Sequence, residues 1–159
     1  MLVRLLQPLN TLSPILVTES GIVTLVRLLQ SSNALFDWNE SDENQCYGLE
    51  LAKKVNCFNV FLQPCNKNIN KNVWNNCAKI LSDKSDEELS PYLPELFRWL
   101  KDLNWPGAIC IYDRLIISED ELFEYELKVS ITTAKAQNDK LWLQALKNLK
   151  KERKARDKK

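Results

Sequence analysis

Residues 93–108 read LPELFRWLKDLNWPGA. Leu93, Leu96, Phe97, Leu100 and Leu103 recur at i, i+3, i+4 and i+7 spacing, which is one apolar face of an α-helix. Asn104 tolerates the left-handed backbone that ends helices. Trp105 precedes a proline and is pushed out of the α region, while Pro106 is preset for a first helical position. Gly107 and Ala108 let a neighbouring backbone come close. The stretch therefore predicts a helix, a tight corner and a second helix, whose face continues through Ile109, Tyr112, Leu115 and Ile116.

The same grammar extends in both directions. Val73, Trp74, Cys77, Ile80 and Leu81 give an apolar face over residues 71–82. Ser85 and Glu88 have the spacing of a capping box, and Pro91 and Pro94 suit first helical turns. Ser118 and Glu121 repeat the capping-box spacing ahead of Leu122, Tyr125 and Val129. Asn138 or Asp139 caps a last helix carrying Leu141, Trp142, Ala145, Leu146 and Leu149. Upstream, Ser41 is a candidate N-cap with Asp42 and Glu43 in the first turn, ahead of Cys46, Leu49, Ala52 and Val55. FNVFLQP, residues 58–64, alternates like a short strand without a pairing partner, so an extended buried segment is expected near 58–63. NKNINKN, residues 66–72, reads as a surface loop. LVRLLQ occurs at 2–7 and again at 25–30, which two amphipathic segments explain without a solenoid.

These readings define an all-α chain of antiparallel helix pairs, stacked as a short HEAT-like α–α repeat. Residues 1–36 form an N-terminal helical extension, 37–150 the helical-repeat domain, and 151–159 a basic tail that extends or frays the last helix. The 159 residues suffice for one domain with a substantial core. Three glycines, none close to another, argue against a turn-rich β-fold and a phosphate-cradling loop.

Composition also narrows the chemistry. The chain has no histidine, so the commonest general base and the commonest metal ligand are both missing. Its five cysteines show no CxxC spacing, and their odd number argues against a closed disulfide framework. Cys46, Cys77 and Cys110 fall among apolar neighbours and read as buried free thiols, which suits a reducing cytoplasmic setting. Pro8 and Pro14 break the apolar N-terminus, and Arg4 interrupts it, so a bilayer-spanning run is not expected there. Residues 150–159 hold seven of the Lys/Arg and two acids, leaving 15 basic and 19 acidic side chains before them. An acidic body with basic residues gathered at one end lacks the basic face of a nucleic-acid-binding domain.

Two acidic clusters are the candidates for carboxylate chemistry: Asp83, Asp86, Glu87 and Glu88, and Glu119, Asp120, Glu121, Glu124 and Glu126. Paired carboxylates can perform acid–base work or hold a divalent cation. Both clusters, however, fall in first helical turns, where the helix dipole favours acids in any case. No cofactor or metal is expected. Of the tryptophans, Trp74 and Trp142 fall on buried faces, Trp99 lies at the edge of its stripe, and Trp105 either plugs the corner or stands exposed as an anchor. Asp86, Glu87, Trp99, Asp102, Trp105, Glu121 and Glu124 are the candidate partner contacts, since acids beside exposed indoles make an interface composition.

Residues 72–115, NVWNNCAKILSDKSDEELSPYLPELFRWLKDLNWPGAICIYDRL, resemble a bacterial family of uncharacterised function. Its pattern is W-x-N-C-A-K-I-L, K-S-D-E-E-L and W-L-x-D-x-N-W-P-G-A. Here Trp74, Asn76, Cys77 and Ala78 match its beginning, and Trp99, Leu100, Asp102, Asn104, Trp105, Pro106, Gly107 and Ala108 its end. GLELAKKVNCFNVFLQP, 48–64, is similar to the preceding segment, so the resemblance covers about residues 40–150. It implies a small HEAT-like helical domain with no catalytic set to carry over. Related small helical proteins neutralise a toxin, so the expected function is a non-enzymatic immunity protein that binds a basic toxin domain. A scaffold or adaptor for an endogenous protein is the alternative, and a carboxylate-dependent enzyme is a third reading.

Overall fold

The computed structural model describes residues 41–43, 46, 50, 58–64 and 71–158. The two LVRLLQ segments, Trp38, Cys57, Cys65 and most of the 66–72 loop lie outside these residues. Regular structure among the described residues is entirely helical, as the apolar spacing requires. Helix α1 spans Trp74–Ser82, α2 Asp86–Leu89, α3 Leu93–Trp99, α4 Ala108–Ile117, α5 Phe123–Ala136 and α6 Lys140–Arg156. Asp42 and Glu43 are also helical, directly after Ser41.

Local chemistry explains several boundaries. Ser85 Oγ accepts from Glu88 N–H at 3.3 Å, and Ser85 N–H donates to Glu88 Oε2 at 2.9 Å, closing the expected capping box. A 3-10 turn at Ser90–Tyr92 carries Pro91, and Pro94 sits in the first turn of α3. Asp139 caps α6 by accepting from Trp142 N–H at 3.0 Å, while Asn138 takes the left-handed backbone at φ 53°. Helix α1 packs chiefly against α4, α3 against α5, and α6 against both α4 and α5. Only α5 and α6 are chain neighbours that form a well-packed hairpin; the other principal contacts skip one helix or, for α1 and α4, two.

Four expectations are corrected. Residues 58–63 are not extended: Phe58–Val60 is a 3-10 turn, and Phe61 N–H donates to Phe58 O at 2.9 Å. Without a neighbouring strand the backbone groups close locally, while Phe58, Phe61 and Leu62 are buried as anticipated. Helix α3 stops at Trp99 rather than Asn104, because Asp102 Oδ1 accepts Asn104 N–H at 2.9 Å and diverts the chain into an Asx turn. Pro106 does not open α4; Gly107 does, from φ 78°. Ser118 and Glu121 do not form a capping box. Ser118 ends α4, and the turn through Asp120, whose Oδ1 accepts Leu122 N–H at 2.7 Å, delays α5 to Phe123.

The basic C-terminal segment is part of the fold. Helix α6 continues into it as far as Arg156, and Arg153 is only 8% exposed. Its Nη1 donates to the carbonyls of Leu115 at 2.9 Å, Ile116 at 3.0 Å and Ser118 at 2.6 Å, while its guanidinium lies 3.7 Å from the Phe123 ring centroid. These are the carbonyls that a helix end leaves without intrahelical donors. Burial pulls the Arg153 pKa below its ordinary value, with Arg156 adding to the effect, yet an arginine keeps its charge. Among the cysteines, Cys77 is buried but Cys46 is exposed and Cys110 half-buried, so the expectation of three buried thiols holds only for Cys77.

Candidate functional site

The corner between α3 and α4 is an internal joint. Trp99 is 0% exposed, and its indole N–H donates to Pro106 O at 3.1 Å, tying the end of α3 to the end of the corner. Trp74 of α1 meets Trp99 edge-on at 6.2 Å and Trp105 at 5.5 Å. An added Cβ at Gly107 would lie 2.4 Å from Ala78 Cβ and 2.9 Å from Trp74 O, so α1 and α4 meet there with no space for a side chain. Trp99 is thus not a surface contact. Periodicity placed it off the stripe because the stripe describes one side of α3, whereas the corner folds back to cover another. Asp102 spends its carboxylate on the Asn104 turn, and half-buried Trp105 packs on Trp74.

Beside this joint is a cleft of about 320 Å³ lined by Pro64, Arg98, Lys101, Trp105, Thr133, Gln137 and Trp142. Lys101 Nζ donates to Gln137 Oε1 at 3.1 Å and lies 4.7 Å from the Trp142 ring centroid. Trp142 is 2% exposed, and its indole N–H donates to Phe97 O at 2.7 Å. The cleft lining contains no carboxylate, so the acidic clusters do not converge in it. Among the described residues no group of three or more His, Cys, Asp or Glu is arranged to hold a metal ion.

The two acidic clusters instead meet each other. Asp86 Oδ2 accepts Glu119 N–H at 2.6 Å, and Asp86 Oδ1 pairs with Arg114 Nη2 at 2.7 Å. Arg114 also donates to Lys84 O at 2.9 Å, fastening α4 to the start of α2. Burial alone would raise the Asp86 pKa; the Glu119 N–H and the Arg114 guanidinium together outweigh it and hold the carboxyl below its usual value. Asp86 is therefore a latch, not a free contact. Near it in sequence or across that bond, Glu87, Glu88, Glu119, Glu121 and Glu124 are exposed. Glu88 pairs with Lys84 at 3.6 Å and Glu124 with Lys150 at 3.3 Å, so Glu87, Glu119 and Glu121 carry the unmatched charge of these five among the described residues.

Sequence reasoning missed the surface of α5. Leu122, Tyr125 and Val129, expected to face inward, are 53%, 64% and 42% exposed. The inward residues are Phe123, Leu127, Ser130 and Ala134. The second stripe was visible in the spacing, but polar Ser130 made it the weaker of two helical faces. Leu141 is similarly exposed, at 73%, although it was expected inside α6.

No helix among the described residues is long and apolar enough to cross a membrane. A family model described as a domain of unknown function (DUF5071) matches residues 70–158. The match takes in all six helices, α1 to α6, and extends past Arg156 into the basic segment. No curated protein and no solved structure matches the chain.

Proposed function

The chain belongs to the DUF5071 family, and from that premise we propose that it is a non-enzymatic protein-binding domain, an immunity protein that neutralises a basic toxin domain by direct contact. One observation supports this reading above the others. The Asp86–Glu119 bond joins the two segments that carry the acidic clusters, and Glu87, Glu119, Glu121 and Glu124 within them are exposed. Glu87, Glu119 and Glu121, which have no ion pair among the described residues, raise the encounter rate with a basic partner, and salt screens that advantage. Arg114 pairs with half-buried Asp86 at 2.7 Å, while Glu87, Glu119 and Glu121 are exposed.

The test uses the full chain with the product of an adjoining toxin-like reading frame. The two form a complex, and replacing Glu87, Glu119, Glu121 and Glu124 together with Gln slows association about tenfold while flattening its salt dependence. Absence of a complex overturns the immunity reading. A complex whose association rate and salt dependence ignore the four substitutions overturns the acidic surface as its recognition element.

A further inference from the structure

The outward side of α5 carries a seam that the core does not use. Leu122, Tyr125, Val129, Thr132 and Ala136 follow at alternating steps of three and four residues, the spacing that keeps an apolar stripe facing a second helix. All five are exposed except where the helix itself shields them, and the opposite side of α5 is buried through Phe123, Leu127, Ser130 and Ala134. The seam therefore runs the length of α5, roughly 20 Å at the rise of an α-helix.

The pattern is self-complementary in one direction. Bulky Leu122 and Tyr125 occupy the N-terminal half, and small Thr132 and Ala136 the C-terminal half. Glu121, in the turn that leads into α5, and Lys128 and Lys135 on one flank of the helix recur every seven residues. Antiparallel copies place the bulky half of each over the small half of the other and bring Glu121 opposite Lys135 at both ends. A parallel arrangement sets bulky residues at one level and small ones at the other, leaving a clash or a gap. Only Lys128 meets its own kind, near the axis, where lysine stems can splay towards water.

We infer that α5 pairs with α5 of a second copy of this chain, antiparallel about a two-fold axis near Val129. Such an isologous contact uses the same surface twice. One helix against one helix buries less than a standard interface, so the dimer forms reversibly with concentration. Glu121 belongs to both surfaces, but the pairing does not depend on the toxin-binding reading, because sedimentation of the chain alone reads it without a partner.

Sedimentation equilibrium of the full chain across the micromolar to millimolar range tests it. The mass rises from one chain towards two, and Val129→Asp keeps the protein monomeric with unchanged circular dichroism. Glu121→Lys and Lys135→Glu each weaken association about five- to tenfold, because two screened ion pairs are lost at once. The double variant E121K/K135E restores it, since the exchanged charges again face each other. A monomer at every concentration, a dimer indifferent to Val129→Asp, or a double variant as weak as the singles overturns the proposal.

Discussion

Arg153 and Ser118 are 35 residues apart in the chain, yet Arg153 Nη1 donates to Ser118 O at 2.6 Å. The same guanidinium nitrogen reaches Leu115 O and Ile116 O, so a side chain near the end of α6 serves as the missing C-terminal cap of α4. The basic segment thereby acquires a structural role through Arg153.

Arg153→Ala is expected to cost about 2–4 kcal/mol, from lost charge-assisted hydrogen bonds and the lost contact with Phe123. Arg153→Lys recovers only part of this, because an ammonium cannot reproduce the planar donor fork. Urea denaturation monitored by circular dichroism measures both. A loss no larger than that of exposed Lys151→Ala would contradict the capping role.

Gly107→Ala destabilises the protein by about 3 kcal/mol or more, combining left-handed strain with overpacking. The added Cβ meets Ala78 Cβ at 2.4 Å and also Trp74 O at 2.9 Å. Ala78→Gly consequently fails to rescue it: the carbonyl and the φ of 78° remain. Full rescue in thermal melts would show that side-chain crowding alone was responsible.

Asp86 contributes pH-dependent stability. Its folded pKa is depressed, so the contribution is present above the unfolded value of about 3.9 and fades as pH falls through the lower folded value. Asp86→Asn should lose about 1–2 kcal/mol near neutrality and converge on the parent below that range. A stability difference independent of pH down to acid unfolding would rule out the carboxylate latch.

Trp99→Phe removes the indole donor to Pro106 O and leaves a small void at the joint, for a loss of about 1–3 kcal/mol. Trp105→Phe costs less, because Trp105 is half-buried and makes its main contact edge-on with Trp74. The ranking in chemical denaturation is the measurement; equal losses would deny Trp99 its clasp.

Thiol labelling separates the described cysteines. Burial pushes the Cys77 thiol up to about 12, so it stays unmodified in the native state, while exposed Cys46 reacts. Mass mapping after brief alkylation should find label on Cys46 and none on Cys77. Comparable labelling at both positions would show that α1 opens readily.

The sequence by itself determined the helical class, the Ser85–Glu88 box, a cap at Asn138 or Asp139 and the presence of a corner around Trp105–Gly107. Each rests on chemistry between residues a few positions apart: apolar spacing, a hydroxyl reaching a nearby amide, a proline excluding the α region. Only the tertiary structure decided which face of α5 turns inward, because a short helix with apolar residues on two sides is settled by its neighbours. It likewise buried Trp99 and joined the acidic clusters through Asp86. Arg153 became a cap only because α6 packs beside the end of α4, since no local pattern reports which distant carbonyls still require a donor.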